Sequence, residues 1–401
     1  MTTSRRSVLG LLGMAPLVAG GLVTASGSGY AGTDSVPAEL RPGGALDRFA
    51  ADLAARDEFS GALLLTCRGR TVLTRSYGMA NKALSISNRP DTIFALASVT
   101  KLFTAVSLAQ LAQHGKVAYH EKLGTYLDGF PAEIANTVTV HHLLTHTSGF
   151  GDHLRMPGFW ATAATWASAD EVMDGTMAFI RRSELSFPPG SETRYSNSGY
   201  HLLGAIVAKV SGQSYYDYVR EHIFGPAGMR STDFYTSARW RDDRRFARPY
   251  KKQPSGERTD DIAGKVFLGT PAGDAFSTCV DMDRFAHALL GEKLLLNSAY
   301  SQLTLGEKVP MPPQAPPGSP APPAGTASPP AVFQCYGPQA FLTNNRRALG
   351  HTGGAPGEST EIQWYPGSRW VSVILSNYDI GTVAPIAALA RRLITEAPPT
   401  P

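Results

Sequence analysis

Two pairs of strand-like runs, one towards each end of a 401-residue chain, constrain this sequence more than any other feature. Gly61–Cys67 and Thr71–Gly78 are short apolar runs joined by a glycine turn at Arg68-Gly69-Arg70, the pattern of a hairpin. Far downstream, Glu361–Tyr365 and Trp370–Ser376 repeat the pattern around a turn at Pro366-Gly367-Ser368. An amphipathic helix precedes the first pair, with Leu46, Phe49 and Leu53 on one face. Another follows the second pair, from near Val383 to Glu396. The interval between the pairs reads mostly as helix. Leu102, Phe103, Val106, Leu108 and Leu111 recur at helical spacing, a buried helix runs from about Tyr200 to Val210, and a Ser277 or Thr278 cap opens a further one.

Two polar residues interrupt the first of these helices. Ser98 and Lys101 are three apart, so they share a face and the ammonium reaches the hydroxyl. Ser98 falls near the helix N-terminus, where free N–H groups and the dipole favour negative charge. A serine hydroxyl is a weak nucleophile until a base takes its proton, and a lysine desolvated among apolar neighbours has the lowered proton affinity such a base needs. The same two residues are equally compatible with a solvated surface lysine beside an ordinary serine.

Composition narrows the function classes. With 43% hydrophobic and 17% charged residues the chain is globular and has enough apolar residues for a sizeable core. The net charge is +4, two of those charges being Arg5 and Arg6, and the remaining basic residues are scattered, which argues against a nucleic-acid partner. Arg5-Arg6 stands before a short Gly- and Ala-rich apolar run broken by Pro16. That order predicts a removable twin-arginine export signal over residues 1–31, with cleavage after Ala31 or Ala25, and no stable membrane span. The expected location is extracytoplasmic or secreted. Cys67, Cys279 and Cys335 are odd in number and widely spaced, which excludes a disulfide framework; one bridged pair or three small buried residues both remain open. His142 and His146 are four apart, but Leu143 stands where a zinc protease needs its glutamate, so they read as structural and no metal is expected. Residues 309–330 are dense in proline and uncharged, the composition of an extended or disordered loop. Tyr195-Ser-Asn197 lies in a loop before the second apolar helix; by itself this is no more than a helix cap with Asn197 or Ser198 as acceptor.

Ser98-x-x-Lys101, Tyr195-x-Asn197 and His351-Thr352-Gly353, in that order, resemble the three sequence elements of serine β-lactamases and penicillin-binding proteins. The chain contains one S-x-x-K and one Y-x-N. The flanking stretches Leu143–Gly149, Pro189-Gly190, Gly199–Gly204 and Phe224–Met229 look like the class C β-lactamase-like group, which includes D-Ala-D-Ala carboxypeptidases, D-aminopeptidases, esterases and acyltransferases. The likeness spans roughly Leu46 to Leu393. It implies that Ser98 attacks a carbonyl to form an acyl-enzyme and that Lys101 and Tyr195 exchange its proton. In relatives the tyrosine is credited as general base, which requires neighbouring cations to favour its phenolate. It further implies that Asn197 orients Lys101 and bonds the substrate amide, that His351, Thr352 and Gly353 line the substrate site, and that the N–H groups of Ser98 and Gly354 form the oxyanion hole. Two departures matter. His351 replaces a lysine that grips the substrate carboxylate in β-lactamases, so carboxylate binding should be weakened or pH-dependent, unless Arg346 or Arg347 supplies the charge. Glu358 stands where relatives place an aromatic residue.

The expected fold is therefore mixed α/β: an antiparallel sheet from residues 38–95 and 333–397, flanked by helices, with a helical region at 96–308 inserted between the halves. The expected function is an exported serine hydrolase, of D-Ala-D-Ala carboxypeptidase or D-amino-acid peptidase type, acting on a small-molecule or peptide substrate with an ester or amide carbonyl and needing no cofactor. An esterase or transacylase is the alternative, and a non-catalytic binder of peptidoglycan or β-lactams a second one.

Overall fold

The computed structural model describes residues 36–291, 294–311 and 331–396. The export-signal segment and residues 312–330 lie outside the described residues. The strand-like runs at the two chain ends join side by side in one eight-stranded sheet. The first hairpin is β1 (Gly61–Cys67) and β2 (Arg70–Tyr77). The remaining strands are β3 (Val309–Met311), β4 (Ala331–Gln334), β5 (Gln339–Thr343), β6 (Arg346–Ala355), β7 (Glu358–Tyr365) and β8 (Trp370–Ser376). Their order is β2-β1-β8-β7-β6-β5-β4-β3, antiparallel throughout. β1 joins β8 in the register Gly61↔Ser376 to Cys67↔Trp370, which closes the chain ends onto each other.

Helices cover both faces, which is why β1 and β8 read as unbroken apolar runs rather than alternating ones. Leu63 and Leu65 of β1 and Ile374 of β8 point to one side, where they pack with α1 (Ala45–Ala55) and α7 (Ala384–Glu396) through Leu46, Ala50, Ile386 and Ala390. Ala62, Leu64, Val373 and Leu375 point to the other, against α2 (Lys101–Gln113) and α6 (Cys279–Leu290). Each such large side chain stabilises the fold by about 1.5–3 kcal/mol when fully buried. α2 is buried from Lys101 to Ala112, and Phe103 meets Phe224 and Phe285 edge-on at 5.0 Å each. The helix is buried all round, and its polar residues Lys101, Thr104, Ser107 and Gln110 each find a hydrogen-bond partner inside the protein. The other helices that matter for the site are α3 (Val140–Leu144), α4 (Ala169–Arg181) and α5 (Asn197–Ser211).

Three expectations are corrected here. The sheet takes in Val309–Met311, which pairs with β4 as an edge strand although the proline-rich stretch was read as loop; Pro310 is tolerated because an edge leaves ladder donors unneeded. The cap of α5 is Ser196, whose hydroxyl accepts from the Gly199 N–H, not Asn197 or Ser198. The helix starts at Asn197, about one turn earlier than the apolar pattern indicated, so the Asn197 side chain is released for other work. Of the two readings left open for the cysteines, three small unbridged residues is the one observed: Cys279 and Cys335 are buried, Cys67 is half-buried, and none is disulfide-bonded.

Candidate active site

The chain enters α2 through a tight 3-10 turn, Ala97–Thr100, that holds Ser98. Leu96 anchors the turn by donating its N–H to Ala275 O and accepting from Thr360 Oγ1, both at 2.8 Å. Ala97 is forced to a φ of +45°, a conformation an L-residue adopts only at a cost, and Ser98 follows it directly. Lys101 is fully buried. Its Nζ donates to Ser98 Oγ at 3.1 Å, Asn197 Oδ1 at 2.7 Å and Ala272 O at 2.5 Å. An ammonium has three protons to donate, and each finds a neutral acceptor. Burial draws the Lys101 pKa down to about 7, while the charges of Asp152 and Asp274 act in the opposite direction.

Tyr195 donates from its hydroxyl to Ser98 Oγ at 2.6 Å, so one serine oxygen is shared by the lysine and the tyrosine. The residue keeps 39% of its surface exposed, yet enough protein crowds the hydroxyl that burial pushes the phenol above its ordinary value; the Ser98 hydrogen bond only partly offsets this. Lys101 Nζ sits over the Tyr195 ring, 4.7 Å from its centroid, rather than beside the oxygen. The phenolate expected from a neighbouring cation is therefore not favoured in the resting site. Asn197 Oδ1 faces Lys101 and its Nδ2 donates to Asp152 Oδ2 at 2.9 Å.

The third sequence element arrives on the sheet. β5 pairs with β6 only as far as Gln339↔Gly350, so from His351 to Ala355 that edge of β6 carries no neighbouring strand and faces the Ser98 turn. A Cβ on Gly353 would stand 2.3 Å from Leu96 O, 2.4 Å from Thr360 Oγ1 and 3.1 Å from Ser98 N, so only glycine lets the strand edge and the turn meet. Thr352 is exposed and Gly354 half-buried beside it. His351 is buried, with Nδ1 at 2.6 Å from Thr352 O, and burial lowers its pKa to about 3, the Lys101 charge adding to the effect. It is neutral well below physiological pH, so of the two expected consequences the pH-dependent one drops out. Neither arginine replaces the missing cation: Arg346 donates to Ile394 O, and Arg347 to Glu307 and Leu305 O, at the far end of β6. Glu358 is buried and accepts from Lys265 Nζ at 2.6 Å, and the same ammonium donates to Pro356 O at 2.7 Å. The pair clamps the β6–β7 turn.

The histidines between the elements have local partners. His142 and Thr139 cap α3 reciprocally. His146, at a left-handed φ of +60°, accepts the Ser196 N–H on Nδ1 and lies against the rings of Tyr195 and Tyr200 at 4.6 and 5.1 Å, which supports the tyrosine from behind. Among the described residues no group of three or more His, Cys, Asp or Glu side chains is arranged to hold a metal ion, and no helix is long and apolar enough to cross a membrane. Asp152, Asp274, the Ala272 carbonyl and the supporting role of His146 escape a reading of the sequence. They stand in loops with no periodicity, and proximity to Lys101 is a tertiary fact.

The β-lactamase family model matches residues 46–396. The chain is 33% identical over 245 residues to the putative penicillin-binding protein PbpX of Bacillus subtilis (61% of this chain, 58% of that protein). It is 30% identical over 352 residues to penicillin-binding protein 4* of the same organism (82% and 70%), and 32% identical over 213 residues to esterase EstB of Burkholderia gladioli (50% and 53%). It thus spans under two thirds of PbpX and EstB. Among solved structures, the penicillin-binding protein of Bacillus halodurans superposes with a TM-score of 0.72 at 27% identity, covering 85% of this chain and 98% of that one. With the fold, the order of the three elements and this match over nearly the whole length, the chain belongs to the β-lactamase family, whose relatives here include penicillin-binding proteins and an esterase.

Proposed function

We propose that the protein is a serine acyl-transfer hydrolase that works through an acyl-enzyme on Ser98. The observation that carries this reading is the shared serine oxygen: Ser98 Oγ lies 3.1 Å from a fully buried lysine amine and 2.6 Å from a tyrosine hydroxyl. Lys101, with its pKa near 7, is the acylation base. As a neutral amine it keeps two protons for Asn197 and Ala272 and turns its lone pair to the Ser98 hydroxyl. Ser98 attacks the substrate carbonyl and its proton passes to Lys101. Tyr195, which enters the reaction protonated, gives its proton to the leaving group and regains one from Lys101. A water then attacks the ester through the same groups in reverse. The carbonyl oxygen lies between the N–H groups of Ser98 and Gly354, the oxyanion donors, and each such donor contributes about 3 kcal/mol to the transition state. Asn197, Thr352 and Gly353 bind the acyl donor along the open β6 edge.

The kinship with penicillin-binding proteins supports D-peptides as donors, of carboxypeptidase or D-amino-acid peptidase type. A specific observation favours a second reading, an esterase or transacylase. His351 is buried and neutral, and Arg346 and Arg347 are engaged elsewhere, so β6 offers no cation to a substrate carboxylate. Export through the twin-arginine leader completes the proposal.

The test is a time course of intact mass with benzylpenicillin and, separately, p-nitrophenyl acetate, on the wild type and Ser98→Ala. A persistent penicillin adduct on Ser98 supports the peptidase reading; ester turnover with no penicillin adduct supports the esterase reading. Hydrolysis that survives unchanged in Ser98→Ala overturns both, and a wild type that binds penicillin without acylation points to the non-catalytic binder.

A further inference from the structure

The Gly151–His153 segment meets the N-terminus of α5 at the site through three consecutive side-chain contacts. Ser196 Oγ donates to Gly151 O at 2.8 Å, Asn197 Nδ2 to Asp152 Oδ2 at 2.9 Å, and Ser198 Oγ accepts the His153 N–H at 2.9 Å. The outer two contacts hold the two segments together. Only the middle one continues inward, since the other end of the Asn197 amide is the acceptor of Lys101.

We infer that Asp152 is the positioning residue of this centre: it selects which end of the Asn197 amide faces Lys101 and places a negative charge behind it. The inference rests on the reading of Ser98 as nucleophile. The two ends of an asparagine amide are alike in shape and opposite in hydrogen bonding, so a neighbour has to decide between them. A carboxylate accepts and never donates, and therefore demands Nδ2. That leaves Oδ1 for Lys101. Asp152 is itself fixed, because its Oδ1 accepts the Leu154 N–H at 3.1 Å.

The charge has a consequence of its own. Lys101 is faced by the rings of Tyr195 and Tyr200, at 4.7 and 5.5 Å, and by the Ser98 hydroxyl. The imidazoles of His146, His153 and His351 also feel it, and burial holds all three neutral. The negative charges acting on it are Asp152 and, from the loop that supplies the Ala272 carbonyl, Asp274. Both oppose the loss of the Lys101 proton. Without Asp152, the amine is freed at lower pH but the amide that aims it is no longer held in one orientation.

The experiment measures kcat/KM for p-nitrophenyl acetate across the ascending limb of the pH profile, with the acyl group located on Ser98 by mass. Asp152→Asn is expected to move the limb down by about one pH unit and to lower the plateau roughly tenfold through misorientation. Asp152→Glu, which keeps the charge, is expected to return the limb to the wild-type position. Ser198→Ala, which removes a flanking loop contact, should lower the melting temperature without moving the limb. A merely structural Asp152 would behave like Ser198. An Asp152→Asn limb at the wild-type position, or an Asp152→Glu limb displaced as far as that of Asp152→Asn, overturns the inference while leaving Ser98 as nucleophile. Ester turnover with no acyl group on Ser98 overturns the underlying reading, and this inference with it.

Discussion

Lys101 is fully buried and Lys265 nearly so, and the two are held in opposite ways. Lys101 touches three neutral oxygens and no carboxylate, and its proton is loosened. Lys265 has the Glu358 carboxylate at 2.6 Å with Asp261 and Asp274 nearby, and its pKa is raised despite burial. Burial alone pulls both downward; what differs is whether a negative charge is in contact. At Lys101 the carboxylates stand one residue back, behind Asn197 and beyond the Ala272 carbonyl, where they temper the effect of burial without cancelling it. The first arrangement leaves an amine that gives up its proton readily, the second makes a clamp on the β6–β7 turn next to the glycine edge. Glu358 experiences the mirror of this: burial and Asp274 push its carboxyl up, and Lys265 draws it back.

The largest effect is expected at Lys101. Lys101→Met is expected to lower acylation by roughly two to four orders of magnitude, read as the single-turnover rate of p-nitrophenol release. It should also alter the pH dependence of stability. In the unfolded chain the lysine keeps its proton up to about 10.5, whereas in the folded protein it gives it up near 7. Between those values the unfolded state binds more protons, so this position adds stability as pH rises, on the order of 5 kcal/mol across the interval. Urea midpoints of Lys101→Met between pH 7 and 10 should lack that rise. Lys265 has the opposite sign: its contribution is fully present below 10.5 and is lost as pH climbs through its raised folded value.

Breaking the clamp should cost stability more than chemistry. Glu358→Gln leaves a buried ammonium without its carboxylate and is expected to destabilise by about 3–5 kcal/mol, measured by denaturant unfolding, with the acylation rate within several-fold of wild type. The double variant Lys265→Met with Glu358→Leu should recover most of the loss, since a buried pair contributes little relative to a packed apolar one. A tenfold fall in acylation in the refolded double variant would mean that Lys265 does more than brace the turn. The smallest effect is expected at Arg347. Its ion pair with Glu307 is about one-third exposed, so Arg347→Ala should change stability by less than about 1 kcal/mol. KM for carboxylate-bearing and neutral substrates should be equally unaffected; a selective rise for the carboxylate would reinstate it as a substrate ligand.

Local pattern in the sequence already determined the hairpins at both ends, the apolar run of α2, the turn at Pro366-Gly367-Ser368, and the order of Ser98, Lys101, Tyr195, Asn197 and His351. These depend on neighbours a few residues apart, and periodicity and turn chemistry report them directly. The true start of α5 at Asn197 and the strand Val309–Met311 leave no such local mark, because the first turn of a helix and an edge strand owe their form to partners elsewhere. Only the tertiary structure decided what the residues do to one another. Two of the three acceptors of Lys101 come from 96 and 171 residues away. His146 and Asp152 reach the centre from one loop and Asp274 from another, and Arg346 and Arg347, adjacent to the site in sequence, point elsewhere. A proton affinity is the sum of burial and of charges gathered from distant parts of the chain. For that reason the spacing of Ser98 and Lys101 indicated a chemistry, while the fold alone fixed which group holds the proton.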